Sequence, residues 1–282
     1  MKEILARILY YIGCVFKRNP KILSIYFHDV KPESFERSLQ WCRKHGYRFI
    51  SLEELMAILE GRTEQDSKCV YISFDDGWKG NLDLIPLFEK YKAPVTIFCA
   101  VQPVVEGGGF WWEYVLEATG SRKLVEFFKT LPEEEFKARV EEMKQTVPHG
   151  RQAVTVEEMQ AMDKTAYVDV QSHTVSHPIL TNLSDEQLDF ELKESKLYLS
   201  KILEKEVFAF SYPNGSLSER EVKVVRKHYR CAVTTEEEYP KVGCDMYRIP
   251  RIVQTEDYWT NLARIKGMWK MIDKFKNMIG RP

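Results

Sequence analysis

Val70-Tyr71-Ile72-Ser73-Phe74-Asp75-Asp76-Gly77 is the stretch on which the reading of this chain turns. Its first five residues are largely apolar and β-favouring, the composition of a buried strand. The strand ends in two adjacent carboxylates and a glycine. Side by side without a counter-charge, two carboxylates repel and one tends to remain protonated. A metal cation keeps such a pair ionised, so further ligands are expected elsewhere in the chain.

Upstream, residues 22–27 (ILSIYF) read as a strand ending on His28-Asp29, and residues 49–51 as a shorter one. Residues 34–45 read as a helix. Ser51 opens the next helix, with Glu54 three residues on, a capping box. Downstream, residues 82–91 are helical and residues 94–100 (PVTIFCA) form another buried strand. The order β-α-β-α-β-α-β with short connections implies parallel strands joined by crossover helices. Such folds place their chemistry at the C-terminal ends of strands, where both His28 and Asp75-Asp76 stand. Later strands are expected at 167–170, 207–210, 231–234 and 247–249. Helices are expected at 156–163, 184–203 (capped by Ser184 with Gln187) and 219–229.

The 282 residues, 44% apolar and 29% charged, suit one α/β domain with a sizeable core. Its core is expected over 21–251, with a charged helical insertion at 106–165 and terminal helices at 1–20 and 255–282. A net charge of -1 gives no general electrostatic case for nucleic acid. The six cysteines form no CxxC pair and several lie in apolar runs, so reduced thiols and a cytoplasmic location are expected. Residues 1–16 do not read as an export signal, because Glu3 and Arg7 interrupt the apolar run. Both ends are amphipathic: Ile4, Leu5, Ile8, Leu9, Ile12 and Val15 recur at helical spacing, and residues 261–280 set Trp269, Met271, Ile272, Phe275, Met278 and Ile279 against basic residues. Each end is expected to dock on the domain or to lie on a membrane surface, in which case contact would be peripheral.

His173 and His177 are four apart, just past the strand at 167–170. Two histidines so spaced on one turn can present ring nitrogens to a single ion. With Asp76 they make a two-histidine, one-carboxylate set, and three protein ligands leave a position for water. Zn2+ is the expected ion, with Co2+ or Ni2+ as alternatives. Asp75 points away from Asp76 by strand alternation and is then free to act as general base. Taken alone, HxxxH is often incidental and a DD pair is often a capped turn; at two strand ends of one domain they reinforce each other. Trp111 and Trp112, after a glycine-rich loop, are either core or a sugar-stacking wall.

Phe74-Asp75-Asp76-Gly77 with His173-Thr174-Val175-Ser176-His177 resembles the polysaccharide deacetylases of carbohydrate esterase family four. The resemblance covers roughly residues 21 to 251. It implies a distorted (β/α) barrel of about seven strands and metal-dependent hydrolysis of N-acetyl groups on aminosugars. It implies Asp75 as base and Asp76, His173 and His177 as ligands. The family's third motif, Arg-x-Pro-Tyr-Gly-like, is matched by Ser211-Tyr212-Pro213-Asn214-Gly215. The turn is kept, so the backbone near Asn214 is a candidate oxyanion donor and Tyr212 a candidate substrate contact. The arginine that orients the base is replaced by Ser211; Arg248 or, preferably, Arg251 is expected to supply it. No histidine follows His228, but Tyr26-Phe27-His28-Asp29 is similar to the Tyr-His of an exopolysaccharide branch, which makes His28 the expected general acid. His45, His149 and His228 read as surface or packing residues.

The expected protein is therefore a metal-dependent N-deacetylase acting on an N-acetylated saccharide. The alternatives are a hydrolase of a non-sugar amide and a non-catalytic relative that binds metal or glycan.

Overall fold

The structure, a computed structural model, describes residues 2–16, 19–65, 67–147 and 150–279, apart from the side chains of Lys2 and of residues 275–279. The chain runs α1 (Lys2–Phe16), β1 (Ile22–Phe27), α2 (Pro32–Lys44), β2 (Arg48–Ile50), α3 (Leu52–Leu59) and β3 (Cys69–Asp76). A 3-10 turn (Lys79–Leu84) then leads into α4 (Ile85–Tyr91) and β4 (Val95–Cys99). Five helices follow: α5 (Val101–Glu106), α6 (Trp111–Thr119), α7 (Arg122–Phe128), α8 (Glu133–Thr146) and α9 (Val156–Asp163). The remainder is β5 (Val168–Ser172), α10 (Asp185–Leu203), β6 (Ala209–Ser211), α11 (Glu219–His228), β7 (Cys231–Val233), β8 (Ile252–Val253), α12 (Tyr258–Ile265) and α13 (Trp269–Ile279).

The strands pair in the order β7-β6-β5-β4-β3-β1-β8, all parallel, in a curled sheet wrapped by helices: a distorted (β/α) barrel. β3 is its axis and is buried along its whole length. One edge of β3 pairs with β1 from Cys69 to Phe74. Its other edge is shared, with β2 taking Cys69–Tyr71 and β4 taking Ile72–Asp76. Phe74 packs against Phe27, Phe35 and Phe88, which fixes the strand whose end carries both carboxylates.

The expected strand at 247–249 is not formed. Ile249 makes a single bridge to Val233, and the ladder with β1 begins at Ile252. Pro250 between them has no N–H to donate, which interrupts the strand. Residues 249–253 nonetheless span from β7 to β1 across the open side of the sheet, so Arg251 lies between its two edges.

The two tryptophans that follow the glycine-rich loop form the first turn of α6. Gly107, left-handed, ends α5, and extended Phe110 starts α6. α6 to α8 make a satellite core of Trp111, Val115, Val125, Phe128, Phe136 and Val140. The Ser184–Gln187 capping box is present; Ser51 accepts from the Glu54 N–H. The long C-terminal helix is broken near Gly267 (φ 72°) into α12 and α13. The side chains of Phe275, Met278 and Ile279, and His149, lie outside the described residues. Among the described residues, no helix is long and apolar enough to cross a membrane.

Candidate metal centre and its acid-base partner

Backbone strain marks the site before any side chain is considered. Six described non-glycine residues have left-handed backbones: Asp76 (φ 77°), Lys92, Thr174 (φ 72°), His177 (φ 57°), Glu204 and Asn214 (φ 56°). Lys92 and Glu204 end helices; the other four surround one point at the strand C-terminal ends. Such conformations persist only where the surroundings over-determine them, and they cluster at functional sites. Gly77 continues the turn at φ 85°, where a Cβ would stand 2.8 Å from Cys99 Sγ. Only glycine lets the chain leave Asp76 in this direction.

Asp76 ends β3, and His173 follows β5 directly, tied by its N–H to the Cys99 carbonyl (3.0 Å). His173 and His177 stand on a tight left-handed loop rather than on a helical turn, with the His177 N–H donating to Thr174 Oγ1 (3.0 Å). Asp76 Oδ1 lies 3.2 Å from His173 Nε2 and 3.3 Å from His177 Nε2, all three side chains being buried. The three ligand atoms fall within 4.8 Å of one another, close enough to share an ion.

The donor set fits a cation. His173 Nδ1 faces the Ser211 carbonyl at 2.8 Å. A carbonyl only accepts, so Nδ1 carries the hydrogen, and the Nε2 lone pair of the neutral ring then points at a carboxylate. Two acceptors face each other, and something positive belongs between them, a proton or a metal ion. Burial is the largest influence on His173 and opposes its charge, but the hydrogen bond to Asp76, the charges of Asp75 and Asp76 and the Ser211 carbonyl together outweigh it and raise the ring's pKa. Burial lowers that of His177. Asp76 is held well below the carboxylate range: burial opposes its charge, but both histidines overcome it.

Asp75 belongs to a different network. The Arg251 guanidinium grips it in a fork, Nη1 to Oδ1 and Nη2 to Oδ2, both 2.7 Å. Arg251 is fully buried and is itself held by Ser73 Oγ (2.9 Å), Ser211 Oγ (2.9 Å) and the Thr234 carbonyl (3.0 Å). Ser211 also donates to Asp75 Oδ2 (3.2 Å). Ser211 therefore stands in the motif position of the expected arginine and touches the arginine that replaces it. Burial would raise the pKa of Asp75, but Arg251 outweighs it and keeps the carboxyl lowered. Arg248 is instead paired with Glu219 (2.7 Å).

His28 is exposed on the rim, its ring 5.5 Å from that of Tyr26, and adds a smaller favourable charge to both Asp75 and Asp76. Asn214 is exposed on the turn past β6. Trp112 is half-buried, 4.6 Å from the His177 ring and stacked on Phe110. Two expected substrate contacts need correction. Tyr212 is fully buried, its hydroxyl donating to the Tyr247 carbonyl (3.1 Å), so its ring belongs to the core. Trp111 is buried in the satellite core, and its indole N–H holds the His177 carbonyl (3.2 Å). It braces a ligand loop and offers no stacking face. Of the other histidines, His45 stacks on Trp41 and His228 pairs with Asp189 (2.7 Å).

Two residues go beyond the sequence reading. Trp78 donates its indole N–H to Asp76 Oδ2 (2.9 Å), which leaves Oδ1 for an ion. Its position directly after Gly77 was the available signal. Glu191, buried on α10, accepts from the N–H groups of Val175 (2.8 Å) and Ser176 (3.0 Å) and from Ser176 Oγ (2.7 Å). No local pattern points to it.

Fold and site together define a (β/α)-barrel protein with a two-histidine, one-aspartate centre beside an arginine-held carboxylate. The profile of the polysaccharide deacetylase family matches residues 62–231, and the chain belongs to that family. YxkH of Bacillus subtilis, named for the same family, is 25% identical over 225 residues, 79% of this chain and 64% of its own length. The chain thus spans a little under two thirds of that relative. A poly-beta-1,6-N-acetyl-D-glucosamine N-deacetylase of Staphylococcus epidermidis is 23% identical over 247 residues, 84% of this chain and 72% of that one. Among solved structures, the Streptococcus pyogenes deacetylase PplD, in complex with acetate, superposes with a TM-score of 0.64 at 22% identity, covering 87% of this chain and 97% of that one. IcaB from Ammonifex degensii gives 0.64 at 19% identity, covering 87% and 96%. These superpositions are likenesses of fold.

Proposed function

We propose that this chain is a metal-dependent hydrolase that removes N-acetyl groups from an aminosugar-containing saccharide. The observation that carries the reading is Asp75, kept ionised by Arg251, at the same barrel mouth as the Asp76-His173-His177 cluster. Membership of the family and the likeness to a poly-beta-1,6-N-acetyl-D-glucosamine N-deacetylase support the substrate class.

The two nitrogens and one carboxylate oxygen suit Zn2+, with Co2+ or Ni2+ able to take the same set. A divalent cation held there would acidify a water molecule and polarise the acetamide carbonyl. Asp75, always in its accepting form at neutral pH, receives the proton of the attacking water. The backbone N–H of Asn214 is the proposed donor to the oxygen that gains charge as the carbonyl carbon becomes tetrahedral. His28, exposed just past β1, gives its proton to the nitrogen as the C–N bond breaks. Acetate and a free amine leave. Trp112 is the aromatic surface available to the sugar ring.

The free cysteines, four of them buried, support a reducing compartment. We place the protein in the cytoplasm, acting on a soluble or lipid-linked precursor of a surface polysaccharide.

The test is acetate release from N-acetylglucosamine oligosaccharides, nucleotide sugars and lipid-linked sugars, with zinc, cobalt and nickel compared. Release that disappears in Asp75→Asn while the metal stays bound supports the reading. No release from any of these substrates sinks it, and unchanged release in the variant removes Asp75 as base.

A further inference from the structure

α1 is apolar on two faces. Its inner face, Ala6, Leu9 and Gly13, packs against the C-terminal helices: Leu9 joins Ala263, Met268 and Ile272 in a satellite core, and Gly13 sits against Lys266 and Met268. Its outer face is a continuous exposed stripe at helical spacing: Ile4 (66% exposed), Ile8 (50%), Ile12 (39%) and Val15 (77%), flanked by Tyr11 and Phe16. An exposed apolar row of this length on a folded protein marks a surface that meets another phase or partner.

The fold brings the two chain ends together here, because α12 and α13 lie against α1. Both ends are basic in sequence. Residues 1–18 hold four Lys or Arg against one acidic residue, and residues 264–282 hold six against one. The whole chain has 42 acidic residues against 41 basic ones, so the rest of the protein is acidic. Among the described side chains, Arg7, Lys270 and Lys274 are exposed, while Asp273 is engaged by Arg264 (2.6 Å). A second copy would place like charge against like charge across this face. An anionic lipid surface complements both features at once, taking the apolar stripe into its acyl boundary and the basic flanks against its headgroups.

We propose that α1, with the start of α13 beside it, is a membrane-docking platform for anionic lipid. The proposal concerns a surface separate from the metal centre, so it stands or falls apart from the deacetylase reading. The full chain is expected to sediment with phosphatidylcholine vesicles containing phosphatidylglycerol and not with phosphatidylcholine alone. Raised salt is expected to weaken this binding. Ile8→Glu and, separately, Val15→Glu, both at exposed positions, are expected to reduce the bound fraction at least about tenfold while acetate release from a soluble substrate is unchanged. Failure of the full chain to sediment with the anionic vesicles overturns the proposal. So does a stable dimer in solution that Ile8→Glu dissociates, which would assign the stripe to a second copy of the chain.

Discussion

Arg251 holds both carboxylate oxygens of Asp75 at 2.7 Å from 176 positions further along the chain. It reaches the carboxylate because residues 249–253 bridge the open side of the curled sheet and turn the side chain inward. The same guanidinium lies 4.2 Å over the Tyr26 ring, so its charge is sandwiched between an aromatic face and its carboxylate.

Removing this arginine is expected to strand a buried charge. Arg251→Gln should cost about 3–5 kcal/mol of stability, the usual cost of breaking a buried pair. Asp75 has a lowered pKa in the folded protein, so its stabilising contribution is present above the ordinary carboxylate pKa of about 4. That contribution is lost as pH falls through the lowered native value. Without Arg251, burial is opposed only by the smaller favourable charges of His173 and His28, and the pKa rises. The acid limb of kcat/KM for acetate release should therefore move to higher pH, with a fall of about 100-fold or more near neutrality. Arg251→Lys keeps the charge but not the fork and should fall between. An acid limb that stays in place in both variants would show that Asp75 is not the group that must be ionised.

Metal and proton are expected to compete for the space between His173 Nε2 and Asp76 Oδ1. The raised pKa of His173 means that the ion-free protein holds a proton there more readily than free histidine does. Each ion bound must displace it, so affinity should weaken as pH falls through that raised value and level off above it. Titration with Co2+ or Zn2+ across pH, in buffers of different ionisation enthalpy, measures the protons released per ion. Affinity independent of pH between about 6 and 8 would contradict a proton held between His173 and Asp76 in the ion-free protein.

Trp78 reaches Asp76 Oδ2 with its only donor. Trp78→Phe keeps an aromatic ring against Phe110, 4.4 Å away in the native protein, and removes only the N–H. Partners that orient a ligand typically contribute about 10- to 100-fold to metal affinity, so the dissociation constant should rise by that amount. The melting temperature of the metal-free protein should change little, because the packing is kept. A large loss of stability with unchanged affinity would assign Trp78 to the core alone.

What the sequence shows and what it hides follow one division. Residues whose positions are fixed by strand ends are legible, because strand termini gather at one mouth whatever the loops do: Asp75, Asp76, His173 and His28 all stand at such ends. The orientation of an aromatic side chain is not, because it depends on which face a neighbouring helix covers. Tyr212, a candidate substrate contact by sequence, and Trp111, for which core and sugar-stacking wall are each open by sequence pattern, both turn into packed cores. Glu191 lies on a helix that reads only as a capped, amphipathic crossover, and its carboxylate meets the histidine loop only when α10 packs beside β5. Arg251 was a candidate because a charge was missing at Ser211; the route it takes, through a proline-broken strand, has no signature in the local pattern.

Glu191 offers the most discriminating test of how the histidine loop is held. Its carboxylate takes three donors from Val175 and Ser176, the residues between the left-handed Thr174 and His177. Glu191→Ala leaves two part-buried N–H groups without their carboxylate partner, a loss of up to about 1–3 kcal/mol for each group that water does not reach. Glu191→Gln keeps the shape and one acceptor oxygen, and should cost less. If the clamp sets the spacing of the two imidazoles, both variants should weaken metal binding in the order Ala, then Gln. Ser176→Ala, which deletes only the Oγ contact, should weaken it least. Chemical denaturation of the metal-free proteins separates this from general destabilisation. Variants that lose stability but bind zinc as tightly as the native chain would show that the loop keeps its geometry without Glu191, and that the strain at Thr174 and His177 is held by Thr174 Oγ1 and by Trp111 on the His177 carbonyl.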